Sequence, residues 1–143
     1  MPAPFRPRDA YPVFRSVATR WMDNDAYGHV NNVVHYSLFD TAVNAYLVEA
    51  GLLDITGGVL IGLVVETGCR YARPVSFPEV VELGLRVAML GRSSVRYEVG
   101  LFTAGVAEAA AEGFFVHVYV DRAHRRPTSL PENWRAGLQR LAA

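Results

Sequence analysis

The ten residues from Asp23 to Asn32 read Asp-Asn-Asp-Ala-Tyr-Gly-His-Val-Asn-Asn, placing two carboxylates, a histidine and three asparagines directly before a long apolar-periodic segment. If that segment is a helix, its first turn carries backbone N–H groups without partners and the positive end of the helix dipole, where developing negative charge is stabilised. A carboxylate a few residues upstream is then a candidate base or nucleophile facing that end. Asp25 is the first candidate, Asp23 the second, and His29 could act as a base or a metal ligand. The same side chains also suit a plain turn, because Asp and Asn bond readily to nearby backbone and Asn31 or Asn32 can cap a helix. The residues alone leave both readings open.

The remaining reactive side chains form no second cluster. His35 and His117 fall in periodic segments where packing or surface roles are the expectation, and nothing resembles a metal-ligand spacing. Cys69 sits in a strand pattern with no helix N-terminus beside it to lower its pKa. Glu66 and Arg73 read as charges on a strand and its continuation. Arg92, Arg122, Arg125 and Arg126 lie in or near turns, where guanidinium forks could hold phosphate.

The elements that must position these groups follow from periodicity. Val13 to Trp21 alternates loosely and reads as a first strand. After the polar block, Phe39, Ala42, Val43, Tyr46, Leu47 and Ala50 recur at helical spacing, with Ser37, Asp40, Thr41 and Asn44 opposite and Gly51 at the C-terminal stop. The pattern then turns strand-like. One strand runs from Val59 to Pro74, and the next buries Val81, Leu83, Leu85, Val87 and Met89. A third strand carries Val95, Tyr97, Val99 and Leu101 on one face, and a fourth spans residues 113–121. Short connections predict antiparallel meandering neighbours, and Ser129-Leu130-Pro131-Glu132 has capping-box spacing before a short last helix. One strand, one long helix and four strands make an α+β fold, a curved antiparallel sheet wrapped around one long central helix.

Composition sets outer limits. The chain has 143 residues with 14 basic and 14 acidic side chains, every basic one an arginine, and a single cysteine. A domain of this size buries roughly 68–70% of its unfolded surface, so one core is expected over residues 13–143, preceded by a proline-rich extended lead-in at residues 1–12. Zero net charge argues against nucleic-acid binding, no stretch is apolar enough for a membrane span, and a lone cysteine suits a reducing, cytoplasmic setting.

The Asp25 to Asn32 block also resembles the signature of hotdog-fold acyl-CoA thioesterases of the 4-hydroxybenzoyl-CoA thioesterase-like branch, with its Asp-x-x-x-His-Val-Asn-Asn pattern. Tyr71-Ala72-Arg73-Pro74, Gly91-Arg92-Ser93-Ser94, Val118-Tyr119-Val120-Asp121 and Arg126-Pro127 resemble later parts of the family in the same order. The resemblance implies a hotdog fold and hydrolysis of a thioester to a carboxylic acid and CoA. It further implies Asp25 as base or nucleophile and the Asn32 N–H as oxyanion donor. Gly28 would permit close approach of the substrate, and His29 and Asn31 would orient the loop and the water. Asn31, Tyr36, Arg92 and Ser93 are the expected substrate contacts. No metal or cofactor is implied, since coenzyme A is part of the substrate; the partner is an acyl-CoA or acyl-carrier-protein thioester, and the assembly a homodimer or homotetramer. The chain departs from the pattern at Ala26, where one branch has proline, and at His35, which precedes Tyr36 where relatives often carry tyrosine. A non-catalytic acyl- or CoA-binding module and an enoyl-CoA hydratase are the alternatives on the same fold.

Overall fold

The computed structural model describes residues 3–142. Residues 1, 2 and 143, at the start of the expected lead-in and the end of the expected domain, lie outside the described residues. The elements run β1 (Val13–Ala18), α1 (Asn32–Glu49), β2 (Leu60–Tyr71), β3 (Val80–Leu90), β4 (Ser94–Thr103), β5 (Ala111–Asp121) and α2 (Glu132–Gln139), with short 3-10 turns at Arg8–Ala10 and Trp21–Asp23. All five strands form one antiparallel sheet in the order β1-β3-β4-β5-β2, and α1 packs across β3, β4 and β5.

The expected meander holds for β3, β4 and β5 and fails for β2, which pairs with β5 at the sheet's edge. Residues 72–79, carrying Pro74 and Pro78, are too long and too proline-rich for a tight hairpin, so the chain crosses back over the sheet end to β3. β2 stops at Tyr71, three residues short of Pro74, because the Ala72 and Arg73 N–H groups both turn onto the Ala110 carbonyl. Alternation in β3 holds as far as Val87. A register shift between Val87 and Met89 then reverses the phase, leaving Met89 64% exposed instead of buried.

Helix α1 is fixed at both ends. Asn31 caps it, its side-chain oxygen accepting the Val33 N–H at 2.9 Å. At the other end Gly51, with φ of 73°, closes a Schellman motif in which the Gly51 and Leu52 N–H groups reach the Val48 and Leu47 carbonyls. Its buried stripe of His35, Leu38, Phe39, Ala42, Val43 and Leu47 meets Leu83, Leu85, Tyr97, Val99 and Leu101 of the sheet. α2 begins after Pro131 with no side-chain cap, so the capping box expected from Ser129 does not form; Trp134 and Leu138 hold that helix against the core instead. The lead-in is extended yet contributes to packing: Tyr11 is buried with Phe102 and Ala109 on the sheet face opposite α1.

Candidate active site

Residues 19–31 carry the chain from the end of β1 to the start of α1, and backbone pairing holds their second half in place. Val30 N–H bonds the Val75 carbonyl at 2.7 Å, Asn31 N–H bonds the Asp23 carbonyl at 2.9 Å, and Ser76 Oγ donates to the Gly28 carbonyl at 2.9 Å. The loop closes on itself through Asp25 N–H to the His29 carbonyl and Gly28 N–H to the Asp25 carbonyl. Gly28 is needed for its φ of 81°. A Cβ there would meet no protein atom within 4 Å, so within the chain it is the backbone angle and not crowding that favours glycine at this position.

The two aspartates have different surroundings. Asp23 is buried and receives the Arg20 backbone N–H at 2.7 Å and Arg20 side-chain nitrogens at 2.9 and 3.1 Å. Burial pushes its carboxyl up, but the hydrogen bonds and charge of Arg20 outweigh that and hold it below the usual range. It is thereby occupied as a structural anchor. Asp25 is half-buried, and among the described residues only its Oδ1 is engaged, accepting the Tyr27 N–H at 2.8 Å.

A cavity of about 460 Å³ opens at the α1 N-terminus, lined by Asp25, His29, Asn32, His35, Tyr71 and Arg73 among others. The Asn32 N–H, at the first helical residue, has no acceptor among the described residues. A carboxylate oxygen and an unpaired helix-terminal donor therefore share one cavity, which can activate a nucleophile at one wall and hold an oxyanion at another.

Of the residues singled out from sequence, Asp25, His29 and Asn32 line this cavity, and Asn31 sits behind it as the helix cap. Tyr36 packs against the main core. Arg92 and Ser93 lie at the opposite end of the sheet: the Ser93 carbonyl accepts from Tyr119 and the Arg92 carbonyl from Leu130. Arg122 is at that end too, pinned to the Gly58 and Ile55 carbonyls.

Sequence reasoning gave little weight to three residues that line the cavity. His35 is only 4% exposed, with Nδ1 donating to the Asn31 carbonyl at 3.2 Å, its ring edge-on to Tyr71, and Nε2 without a partner. Burial pushes its pKa down, offset in part by the Asn31 carbonyl, so the ring favours the neutral form. Burial and a hydrogen bond with Cys69 push the Tyr71 phenol up, keeping it protonated. Arg73 donates to Thr103 Oγ1 at 2.7 Å while its buried Nε has no partner. The available signal was positional: His35 falls one turn into the helix that the polar block introduces.

The family model described as the thioesterase-like superfamily matches residues 19–138. The PA5185 protein of Pseudomonas aeruginosa is 54% identical, with 98% of each chain covered and a TM-score of 0.95. A Thermus thermophilus thioesterase solved with coenzyme A and zinc is 34% identical over 93% of this chain and 96% of its own, with a TM-score of 0.77. A 1,4-dihydroxy-2-naphthoyl-CoA thioesterase of Synechocystis shares the fold at 16% identity, covering 88% of this chain and 94% of its own with a TM-score of 0.80. No curated protein matches the chain. Among the described residues no group of three or more His, Cys, Asp or Glu side chains is placed to hold a metal ion, and no helix is long and apolar enough to cross a membrane.

Proposed function

The chain belongs to the thioesterase-like superfamily and is a thioester hydrolase of the hotdog fold, and from that premise we propose that it cleaves acyl-CoA with Asp25 and the N-terminus of α1. The observation that supports this is the shared cavity: among the described residues, its carboxylate has one oxygen uncommitted and its Asn32 N–H has no acceptor. Asp25 takes a proton from water as the hydroxide adds to the thioester carbonyl, or adds to that carbonyl itself. The oxygen becomes an oxyanion held by the Asn32 N–H. Collapse breaks the C–S bond and releases the CoA thiolate, which takes up a proton; on the water route the carboxylic acid leaves directly, and on the nucleophilic route an acyl anhydride on Asp25 remains, which a water molecule hydrolyses to the acid and the free Asp25 carboxylate. Coenzyme A leaves as product, so the reaction needs no further cofactor.

Asp25→Asn keeps an acceptor for the Tyr27 N–H and removes the base, which should lower kcat by about 10²–10⁴-fold. A folded Asp25→Asn protein with full activity on acyl-CoA would refute the assignment. Binding of acyl-CoA without turnover across short, long and aromatic acyl groups would favour the non-catalytic module, and hydration of an enoyl-CoA the hydratase.

A homodimer completes the site in this proposal. β2 is an edge strand whose Leu63, Val64 and Val65 are exposed, and such an edge invites pairing. Two-fold pairing of β2 with its copy is antiparallel, so the Leu60 end of one chain lies beside Tyr71 of the other. Because Leu60 is opposite Asp121 in the sheet, the second copy would bring its Arg92, Ser93 and Arg122 end towards this cavity. That is where guanidinium groups could meet the phosphates of coenzyme A. A monomer at micromolar concentration by light scattering would contradict the dimer.

A further inference from the structure

On the sheet face turned away from α1, four arginines surround two carboxylates. Glu98 of β4 and Glu112 of β5 are 8% and 4% exposed, and every oxygen is engaged. Glu98 Oε1 lies 3.6 Å from Arg6 Nη1 and 3.3 Å from Arg86 Nε, and Oε2 accepts from Arg96 Nε at 3.1 Å. Glu112 Oε1 accepts from Arg70 Nε at 2.9 Å, while Oε2 accepts the Arg6 backbone N–H at 3.1 Å and faces Arg6 Nη2 at 3.5 Å. Four guanidinium groups against two carboxylates leave two positive charges, and among the described residues no other carboxylate lies within ion-pair distance of these arginines.

Among the described residues Arg86 pairs with Glu98 alone and does not line the concavity beside Arg96, so the part of the surplus that reaches solvent there is at Arg96. Arg70 is committed to Glu112 and to the Ala3 and Pro4 carbonyls of the N-terminal segment. Arg96 uses only Nε; its two terminal nitrogens have no acceptor among the described residues. Its guanidinium is fixed 3.9 Å from the centre of the Phe114 ring. A concavity of about 410 Å³ opens there, lined by Arg6, Arg70, Arg96, Glu98, Glu112 and Phe114, with the three arginine side chains each about a third exposed. Arginine cannot relieve unbalanced charge by losing its proton, so the imbalance persists at any physiological pH.

We propose that this concavity is a second binding site, on the opposite face of the sheet from the catalytic cavity, for a phosphate monoester or phosphate itself. Two surplus charges match the −1.5 to −2 of a phosphate near pH 7 better than a carboxylate, which neutralises one. A fork already oriented by Glu98 and Phe114 binds two phosphate oxygens without further ordering. Arg6 belongs to the segment before β1 and reaches the site through its backbone as well as its side chain. Occupancy is therefore linked to docking of residues 3–10 on the sheet.

Calorimetric titration of the full chain with inorganic phosphate, at constant ionic strength and with chloride as the control anion, tests this. Saturable binding is expected, weakened at least tenfold in Arg96→Gln and less in Arg96→Lys, which keeps the charge without the fork. Phosphate should also slow amide exchange at Arg6. Hydrolysis of an acyl-pantetheine thioester, which carries no phosphate monoester, should be unchanged in Arg96→Gln and so reports that the variant is folded. Tighter binding of AMP than of phosphate, or equal binding, supports the site and distinguishes a nucleotide from the free ion. Absence of saturable binding, or equal affinity in wild type and Arg96→Gln, overturns the proposal.

Discussion

Gly113 in β5 is where the packing of α1 on the sheet sets the geometry of the site. A Cβ at this position would lie 2.7 and 2.8 Å from two ring carbons of Phe39 and 2.9 Å from the Gly68 carbonyl. Carbon atoms normally pack at about 3.5–4.0 Å, so Gly113→Ala must move the Phe39 ring by about 1 Å, the neighbouring strand backbone being unable to yield. Overpacking of this kind costs about 1–3 kcal/mol, and the smaller entropy of the unfolded alanine chain returns about 0.4–1. The net loss, up to about 2.6 kcal/mol, should lower Tm by up to about 8 °C in a chain of this size. Phe39 lies two turns along α1 from Asn32 and its ring meets that of His35, so the displacement reaches the proposed oxyanion donor while Asp25 stays on its loop. A misplacement near 1 Å can lower kcat by about 10²-fold. Thermal unfolding and kcat on an acyl-CoA, read by free-thiol detection, measure both effects. Gly100→Ala is the control: its Cβ would meet Tyr11 at 2.8 Å on the other face, so stability should fall and kcat should not. Phe39→Leu should restore part of both quantities in Gly113→Ala. Wild-type kcat in a destabilised Gly113→Ala protein would refute the coupling between the seating of α1 and the site.

Asn31→Ala removes the acceptor for Val33 N–H and should cost about 1 kcal/mol, read as a lower denaturant midpoint, whereas Asn31→Asp should retain the cap. Tyr11→Ala empties the slot beside Gly84 and Gly100 and should destabilise by about 3–5 kcal/mol, with kcat unchanged if the chain still folds. Burial lowers the pKa of both His35 and His117, although Asn31 and Asp40 respectively oppose the shift. The unfolded chain then binds protons first as pH falls below about 6.5, so folded stability should be full above that pH and decline through the depressed folded values. Chemical denaturation from pH 7.5 to 5 should show this slope, and His117→Phe should flatten it; an unchanged slope in both His117→Phe and His35→Phe would exclude these groups as its cause.

The polar block, the cap and the periodicity of α1 were legible because they are local. An asparagine cap, a C-terminal glycine and apolar residues at three- and four-residue spacing act within one element, so Asn31, Gly51 and the Phe39 to Leu47 stripe can be read in order along the chain. The same locality made Asp25 a candidate: it lies seven residues before the first free helical N–H, whatever the sheet does. Distant pairing could not be read this way. Nothing in the alternation of β2 distinguishes β3 from β5 as its partner, since both present an apolar face, and only closure of the whole sheet leaves β2 at the edge. The bulge that exposes Met89 and the crossover that brings Tyr71 and Arg73 to the cavity are likewise products of strand registry. Sequence alone therefore determined the helix, its start and the set of candidates for chemistry there. The tertiary structure decided which aspartate is free, because Arg20 satisfies Asp23 while Asp25 lines an open cavity with one oxygen unpaired among the described residues, a difference set by partners that two identical side chains cannot encode in themselves.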